Sequence, residues 1–491
     1  MAANIRNQSR TVEIMNFASA LLRRLGKAPH LIDGASGARL DDVRGHVIAS
    51  AAMLRETGLE RGDRLLLAAQ LDLDTVVAYL ATMYAGCVAV PLPAAQCFAE
   101  AKTFAEATGA KAIWSSTLRE SSALPVIVGV AQGNAQDGNV GAEPTDIAVL
   151  NATSGSTGKP RLVMVSHANL LANTEAIVRS QLLTSDDRAL LQLPLHYCFG
   201  ASVLHSHLWA GGSVVVDRRS MFPSRLIGST IDHACTSFAG VPFTYEQMIA
   251  AANFDRLAGS SLKRFLQAGG KLEIQVVESI VARVPSADFY VMYGQTEATS
   301  RISTFEVHRH MAKLGSAGMP LDNLKVFAVG ADFRPVAAGR SGELAVRGAS
   351  VAAGFWNDVD GTAERFVNGT LLTGDVGRVD EDGFIWIEGR IADFLKMRGM
   401  RVSIGEIEAR LRLAEGISEI AAFPSCHPRY GEAFALAVVA EKEHDRAGIV
   451  RDLTRRIDPL WICAGINFVD SLPRNEVGKI LRGRLAEKCG S

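Results

Sequence analysis

The segment of the 491-residue sequence with the clearest chemical meaning is Thr153–Pro160, which reads TSGSTGKP and follows the apolar, strand-like run Asp146–Asn151. Glycines and small hydroxyl residues let successive backbone N–H groups approach a polyphosphate closely, and the hydroxyls add donors or a magnesium ligand. A Walker A loop is a competing interpretation, but that motif needs GxxxxGK[ST], and here Lys159 is followed by Pro160. A flexible turn between strands is the interpretation without function. We favour a phosphate-binding loop of non-Walker type.

Three further segments carry polar side chains that could serve a nucleotide. Tyr293–Glu297 (YGQTE) offers an aromatic face, a hydroxyl and a carboxylate directly after the strand-like run Phe289–Met292, and nucleotide sites in α/β sheets lie at the carboxyl ends of strands. Asp375 stands in a Thr-Gly-Asp turn, where it could equally be a turn-forming residue without function. Lys479 lies in a Gly-Lys pair near the C-terminus. Its ammonium could stabilise developing negative charge, although most lysines are simply solvated.

Five segments in order resemble the signature set of the adenylate-forming superfamily, which contains acyl- and aryl-CoA synthetases, the adenylation domains of nonribosomal peptide synthetases, and luciferases. The segments are TSGSTGKP (153–160), YGQTEAT (293–299), TGD (373–375), GRIADFLKMRG (389–399) and PRNEVGK (473–479). The resemblance covers essentially the whole chain. It implies attack of a carboxylate on the α-phosphorus of ATP, which gives an acyl-AMP and pyrophosphate, and then transfer of the acyl group to a thiol or an amine.

The resemblance also implies which residues bind ATP and Mg²⁺. The ATP site would comprise Thr153, Ser154, Gly155, Ser156, Thr157, Gly158, Lys159, Gly269, Gly270, Tyr293, Gly294, Gln295, Thr296, Asp375 and Arg390. Tyr293 would stack on adenine, Asp375 would accept the ribose hydroxyls, and Arg390 would contact ribose or phosphate. Thr157 and Glu297 would hold Mg²⁺. Lys479 would bridge the substrate carboxylate and the α-phosphate, so the expected catalytic residues are Lys479, Glu297 and Thr157.

Two orientations of a mobile C-terminal domain follow from the same resemblance. Asp393 would be the hinge residue that absorbs the backbone rotation. Lys479 would enter the site for adenylation, whereas Lys396 and Gly399 would face it during transfer to the acceptor.

The resemblance places the acid pocket in segments that carry few charges. Its expected residues are His196, Tyr197, Phe199, Gly200, Gly240, Val241 and Lys271. Gly200 stands where adenylation domains for α-amino acids carry an aspartate, and an ammonium buried without a counter-charge is costly. Lys271 either meets a polar group of the acid or points to solvent, and we favour solvent. These positions predict an aliphatic or aromatic monocarboxylic acid without an α-amino group.

The elements that must position these residues are those of a large α/β protein. Hydrophobic residues make up 48% of the chain, and a net charge of −1 argues against nucleic acid or an anionic membrane as the main partner. Seven cysteines without a CxxC pair indicate free thiols. The uncharged stretch Thr75–Ala99 is long enough for a membrane span, but Gly86, Pro91 and Pro93 favour a core helix (75–85) and a strand (87–92). Without an apolar h-region at its N-terminus, the protein is expected to be cytoplasmic.

Apolar strand-like runs alternate with amphipathic helical patterns from about residue 30 to 350, which predicts buried, largely parallel sheets. After residue 340, hairpin signals indicate short antiparallel strands, and a new βα pattern begins beyond Arg390. Combined with the resemblance, this predicts a large N-terminal domain of αβ-layered sheets with a small β-barrel-like part (1–390), a hinge (391–393) and a small mobile α+β domain (394–491).

The expected function is ATP- and Mg²⁺-dependent ligation of a small-molecule carboxylic acid to a thiol, either coenzyme A or the phosphopantetheine arm of a carrier protein acting in trans. An amide synthetase that transfers the acyl group to an amine remains an alternative. A non-catalytic nucleotide-binding relative is a remote one, because Glu297, Asp375, Arg390 and Lys479 are all present.

Overall fold

The computed structural model describes residues 16–26, 30–121, 123–132, 143, 145–153, 161–219, 222–398, 400–441, 444–474 and 480–489. The strands are β1 Leu31–Asp33, β2 Arg39–Leu40, β3 Arg64–Ala69, β4 Val88–Pro93, β5 Ala112–Ser115, β6 Val126–Val128, β7 Ile147–Thr153, β8 Arg161–Ser166, β9 Arg188–Leu191, β10 Ser213–Val216, β11 Ser237–Gly240, β12 Arg264–Gln267, β13 Asp288–Tyr293, β14 Ser303–Glu306, β15 Met319–Pro320, β16 Leu324–Val329, β17 Gly342–Gly348, β18 Phe366–Val367, β19 Thr370–Val379, β20 Ile385–Arg390, β21 Phe394–Met397, β22 Met400–Ser403, β23 Ile417–His427, β24 Gly431–Ala440 and β25 Cys463–Phe468.

The α-helices are α1 Phe17–Leu22, α2 Val43–Glu56, α3 Leu73–Tyr84, α4 Ala94–Ala99, α5 Ala101–Thr108, α6 His167–Ser180, α7 Cys198–Trp209, α8 Pro223–Asp232, α9 Pro242–Ile249, α10 Ile274–Arg283, α11 Val359–Arg365, α12 Ile404–Leu411, α13 Arg446–Arg456 and α14 Arg482–Cys489. Short 3₁₀ turns cover Phe254–Gly259, Thr296–Ala298, Met311–Lys313 and Ile391–Asp393.

Two large sheets form the main body. One has the strand order β6-β5-β3-β4-β7-β8, and the other has the order β15-β14-β13-β12-β11-β9-β10-β1-β2. The inner strands of both sheets pair in parallel, while β2, β8, β14 and β15 pair antiparallel at the edges. The largest apolar core joins the two sheets through α1, α3, α6 and α7. The predicted α/β architecture is therefore confirmed.

A smaller antiparallel sheet corresponds to the predicted β-barrel-like part. It has the order β16-β17-β19-β18, and β20 pairs with β19. A β-bulge interrupts the pairing of β19 with β20, so that Val376 pairs with Gly389 but Gly377 pairs with Ile387. Because the bulge adds Glu388 on β20, Asp375 and Arg390 become direct cross-strand partners.

The C-terminal region contains the hairpin β21–β22, the three-stranded sheet β23-β24-β25 and the helices α12, α13 and α14. One apolar core in this region is built from buried residues between Leu395 and Ile462. This is the α+β composition predicted from the sequence. The domain limits at residues 390 and 394 remain predictions.

The uncharged stretch Thr75–Ala99 is confirmed as a core helix followed by a strand. The helix α3 spans 12 residues and ends at Tyr84, and the strand β4 begins at Val88. Gly86 adopts φ +78° between them, a conformation that glycine tolerates without strain. In the part of the chain that the structure describes, no helix has the length and apolar character that crossing a bilayer requires.

Candidate active site

Several of the sequence-predicted segments meet at one edge of the nine-stranded sheet. The strands β9, β11, β12 and β13 pair in parallel, so their carboxyl ends share this edge. The segments that follow them contain His196–Gly200, Gly240–Val241, Gly269–Lys271 and Tyr293–Glu297. A Cβ atom at Gly269 (φ +88°) would lie 2.4 Å from the Tyr197 hydroxyl oxygen. The acid-pocket and ATP-site predictions therefore fall on segments in direct contact.

A hydrogen-bonded cluster links this edge to the small antiparallel sheet. The Tyr293 hydroxyl donates to Asp375 Oδ2 at 2.6 Å, and Arg390 Nε lies 3.1 Å from Asp375 Oδ1. The Asp375 side chain is only 5% exposed, whereas the Arg390 side chain is 55% exposed. Burial raises the pKa of Tyr293, and the adjacent Asp375 charge raises it further, so the phenol stays a donor. The cluster thus joins an aromatic ring, a carboxylate and a guanidinium.

The turn that holds Asp375 is fixed from two sides. Gly374 has φ +72°, and its N–H donates to Glu343 Oε1 at 2.9 Å. The Thr373 hydroxyl accepts the Asp375 N–H at 3.1 Å and donates to the Leu344 carbonyl at 2.7 Å. These bonds leave the carboxylate of Asp375 free to face Tyr293 and Arg390.

The turn after β13 requires a glycine. A Cβ atom at Gly294 would lie 1.7 Å from the Ser300 carbonyl oxygen, so any side chain would displace this turn. Thr299 adopts φ +65°, and its hydroxyl donates to the Ser350 carbonyl at 2.6 Å. Thr296 and Glu297 lie between these fixed points, in the 3₁₀ turn. The Glu297 carboxylate makes no ion pair with any residue that the structure describes.

Part of the predicted site lies outside the described residues, namely Ser154, Gly155, Ser156, Thr157, Gly158, Lys159, Gly399 and Lys479. Thr153 ends β7 and pairs with Arg161, the first residue of the antiparallel strand β8. The predicted phosphate loop therefore connects two antiparallel strands, whereas a P-loop connects a strand to a helix. The roles assigned to these residues remain predictions.

The predicted acid-pocket residues on α7 lie at its N-terminal end. Phe199 is buried, and burial lowers the pKa of His196 to about 4. A Cβ atom at Gly200 would lie 2.5 Å from the Pro194 carbonyl oxygen and 2.7 Å from that of Leu193. An aspartate could not occupy this position without moving the start of the helix.

The remaining pocket predictions fall on the neighbouring strand ends. Gly240 is buried at the end of β11 and Val241 follows it, while Lys271 is exposed. A Cβ atom at Gly240 would lie 3.1 Å from the side chains of Thr244 and Tyr245.

Near the predicted hinge, Asp393 ends the 3₁₀ turn that follows β20. Lys396 lies on β21, and its backbone N–H donates to Glu432 Oε2 at 2.7 Å. Its side chain is exposed.

Three side chains at the site escaped the sequence reasoning. The Thr296 hydroxyl donates to Cys198 Sγ at 3.5 Å, and burial raises the pKa of this thiol. Arg365 Nη2 donates to the Thr373 carbonyl at 2.8 Å and to Gln295 Oε1 at 3.3 Å. Arg301 is buried against Phe199, with 5.5 Å between its guanidinium carbon and the ring centroid. The position of Arg301, two residues before β14, gave no signal that its charge would be buried.

Two family models and a set of curated relatives match this chain. The model described as AMP-binding enzyme matches residues 24–356, and the model described as AMP-binding enzyme C-terminal domain matches residues 406–479. A feruloyl-CoA synthase of Amycolatopsis sp is 29% identical over 348 residues, which are 70% of each chain. A 2-succinylbenzoate–CoA ligase of Bacillus licheniformis is 30% identical over 343 residues, 69% of this chain and 70% of that one.

Solved structures share the fold. ATP-bound MatB from Rhodopseudomonas palustris superposes with a TM-score of 0.85 at 23% identity, over 96% of this chain and 98% of that chain. The o-succinylbenzoate CoA synthetase MenE of Bacillus subtilis, in complex with its acyl-adenylate intermediate OSB-AMP, gives a TM-score of 0.82 at 22% identity, over 96% and 97% of the two chains.

Proposed function

The chain belongs to the family of AMP-binding enzymes, and we propose that it activates a carboxylic acid without an α-ammonium group as an acyl-AMP and transfers the acyl group to coenzyme A. It is an enzyme of the AMP-forming, acyl-CoA synthetase type. The observation that carries the proposal is the contact of Tyr293, Asp375 and Arg390 at the carboxyl ends of the parallel strands.

The nucleotide would be held by this cluster. A carboxylate has about four lone-pair sites, and Tyr293 and Arg390 occupy two of those on Asp375. Two sites remain for the ribose hydroxyls. The bond to Asp375 also fixes the tilt of the Tyr293 ring, which would present its face to adenine. Arg390, with its exposed guanidinium, can reach ribose or phosphate without leaving Asp375.

In the first half-reaction, an oxygen of the substrate carboxylate attacks the α-phosphorus, and the bond to pyrophosphate breaks. Both reactants are anions, so positioning and charge neutralisation carry the catalysis. Lys479 would approach both reacting groups, and Thr153–Lys159 would bind the β- and γ-phosphates. Glu297 fits a magnesium site because its carboxylate is a hard oxygen ligand that forms no ion pair with the described part of the chain. Bound Mg²⁺, held by Glu297 and Thr157, would neutralise charge on the phosphates.

In the second half-reaction, the thiol of coenzyme A attacks the acyl carbon, AMP leaves, and the thiol proton is released. We propose residues 1–390 and 394–491 as the two domains and Asp393 as the hinge between them. Rotation at this hinge would withdraw Lys479 from the active site and bring in the face of the C-terminal domain that carries Lys396 and Gly399.

Substrate choice would begin at Gly200. The carbonyl oxygens of Pro194 and Leu193 fill the space where a counter-charge for an α-ammonium would stand. An α-amino acid would then bury its ammonium unpaired, at a cost of several kcal/mol.

The test is pyrophosphate release with ATP and Mg²⁺ over a panel of aliphatic, aromatic and α-amino acids, with and without coenzyme A. We expect release that depends on a non-amino acid and increases with coenzyme A, with acyl-CoA identified by mass spectrometry. Acid-dependent release that coenzyme A does not affect would instead indicate a carrier protein or an amine as the acceptor. ATP binding without release for any acid would contradict the proposal.

A further inference from the structure

Arg301 is a buried cation without an anionic partner among the residues that the structure describes. It is 2% exposed, and the polar atom that its guanidinium contacts is the sulfur of Met292. Among the described residues, no carboxylate lies within ion-pair distance of it. A guanidinium has five N–H donors, and a buried charge is costly unless it is paired. A thioether is a weak acceptor, so the described residues leave most of the N–H donors of the Arg301 guanidinium without an acceptor.

The backbone around Arg301 is held firmly. Asn173 on α6 binds both backbone groups of Arg301: its Oδ1 accepts the N–H at 3.3 Å, and its Nδ2 donates to the carbonyl at 2.8 Å. Two residues earlier, Thr299 adopts the left-handed conformation that non-glycine residues rarely take. Backbone strain of this kind is concentrated at functional sites. The guanidinium is therefore presented by a rigid turn.

Arg301 lies on the acid side of β13 and away from the ribose side. Successive side chains of a strand point to opposite faces. Tyr293 reaches Asp375 on one face, whereas Met292 packs in the core shared with Phe199 on the other. Arg301 contacts both Met292 and Phe199. Its charge thus serves neither ribose nor adenine.

Cys198 connects the surroundings of Arg301 to Thr296, because it directly precedes Phe199, whose ring Arg301 contacts. The proposed chemistry occurs beside Thr296, whose hydroxyl binds Cys198 Sγ at 3.5 Å. Burial lowers the pKa of Arg301 to about 9, so it remains a cation at neutral pH.

We propose, on the basis of the proposed function, that Arg301 determines acid specificity and that the preferred acids carry a second carboxylate, which binds the guanidinium while the first carboxylate reacts. Carboxylate and guanidinium match as a bidentate pair. The expectation from the sequence, an apolar monocarboxylic acid, rested on pocket positions that did not include this arginine.

The first experiment compares acids that differ only in the second carboxylate. Pyrophosphate release is measured for linear C4–C10 monoacids, for the α,ω-diacids of equal length, and for benzoate and terephthalate. We expect wild-type kcat/KM to favour the diacid of at least one pair by about 100-fold, the effect of one buried charge pair. Arg301→Met should abolish this preference, and Arg301→Lys should retain part of it.

Distinct results would overturn the two proposals. The inference about Arg301 fails, while acid activation stands, if wild-type enzyme prefers the monoacid of every pair. It also fails if Arg301→Met lowers kcat/KM equally for the monoacid and the diacid. If no acid supports release, the proposed function fails, and the inference that rests on it fails too.

The second experiment measures the melting temperature first without acid and then with added diacid. Loss of a structural arginine lowers the melting temperature of the free protein, whereas loss of a substrate-binding arginine removes only the stabilisation by diacid. Methionine has a similar length and suits a site next to Phe199 and Met292, so Arg301→Met should melt no lower than wild type. Added diacid should raise the melting temperature of wild type but not of Arg301→Met. The matched control is Arg309→Met, at an exposed arginine. A lower melting temperature for Arg301→Met, without loss of the diacid effect, would show that Arg301 is structural.

Discussion

Replacing Asp375 with asparagine tests the proposed ribose contact with little change in side-chain size. The wild-type carboxylate accepts from Tyr293 at 2.6 Å and pairs with Arg390 at 3.1 Å. An amide has one acceptor oxygen and one donor nitrogen. In wild type the two protein donors bind different oxygens, so the single amide oxygen can keep only one of them, and the N–H₂ group must face Tyr293, Arg390 or the ribose. At least one ribose hydroxyl therefore loses its charged acceptor.

The size of the effect follows from the type of bond that is lost. A hydrogen bond to a charged group contributes about 1.5–3 kcal/mol. Since 1.4 kcal/mol corresponds to a tenfold change in affinity, Asp375→Asn should weaken ATP binding by about 10- to 100-fold.

The assay is calorimetric titration with ATP in the absence of acid. Asp360→Asn serves as the control, because Asp360 is an exposed aspartate in the first turn of α11. Circular dichroism confirms that each variant is folded. A folded Asp375→Asn variant that binds ATP within twofold of wild type would refute the assignment of Asp375 to the ribose.

Four other predictions concern catalysis, the hinge, the acid pocket and acid stability. Lys479→Ala should abolish acyl-AMP formation but spare thiol attack on supplied acyl-AMP; equal loss of both half-reactions in rapid-quench assays would contradict domain alternation. Asp393→Pro should spare only one half-reaction, measured in the same way, because proline restricts rotation at the hinge; a folded variant that loses both equally would argue against a hinge there. Gly200→Ala should lower kcat/KM for the acid by about 10- to 100-fold, because its Cβ would displace α7; unchanged acid kinetics would show that this helix start does not shape the pocket. The free energy of unfolding should fall between pH 7 and pH 5, because unfolded histidines bind protons below about 6.5 and the buried ones resist until lower pH; a constant midpoint in urea titrations would contradict this. Burial lowers the pKa to about 4 in His167, His196 and His207 and to about 3 in His205.

Much of the architecture was predictable because it rests on local patterns. In the uncharged run Thr75–Ala99, the positions of Gly86, Pro91 and Pro93 predict a helix and a strand, and the structure places α3 and β4 there. The amphipathic run that starts at Val43 is the helix α2. Periodicity and turn residues suffice for such elements.

The details of the site depend on contacts between distant parts of the chain, and for this reason they could not be predicted. Asp375 and Arg390 were both expected near the ribose, but their mutual ion pair and the bond to Tyr293 required the fold. Arg301 was missed because its burial results from packing against α6 and α7, which lie about 100 residues earlier in the chain. Sequence spacing carries no signal for a charge that becomes buried in this way.

The β-bulge between β19 and β20 makes nucleotide recognition sensitive to strand register. With the extra residue Glu388, Arg390 stands opposite Asp375. If Glu388 instead paired with Val376 and the ladder continued without the bulge, Gly389 would stand opposite Asp375, because a one-residue shift sends every following side chain to the other face of the sheet. The guanidinium would then point away from the nucleotide, although every residue of the site would still be present. An alignment that scores only residue identities would judge such a protein intact.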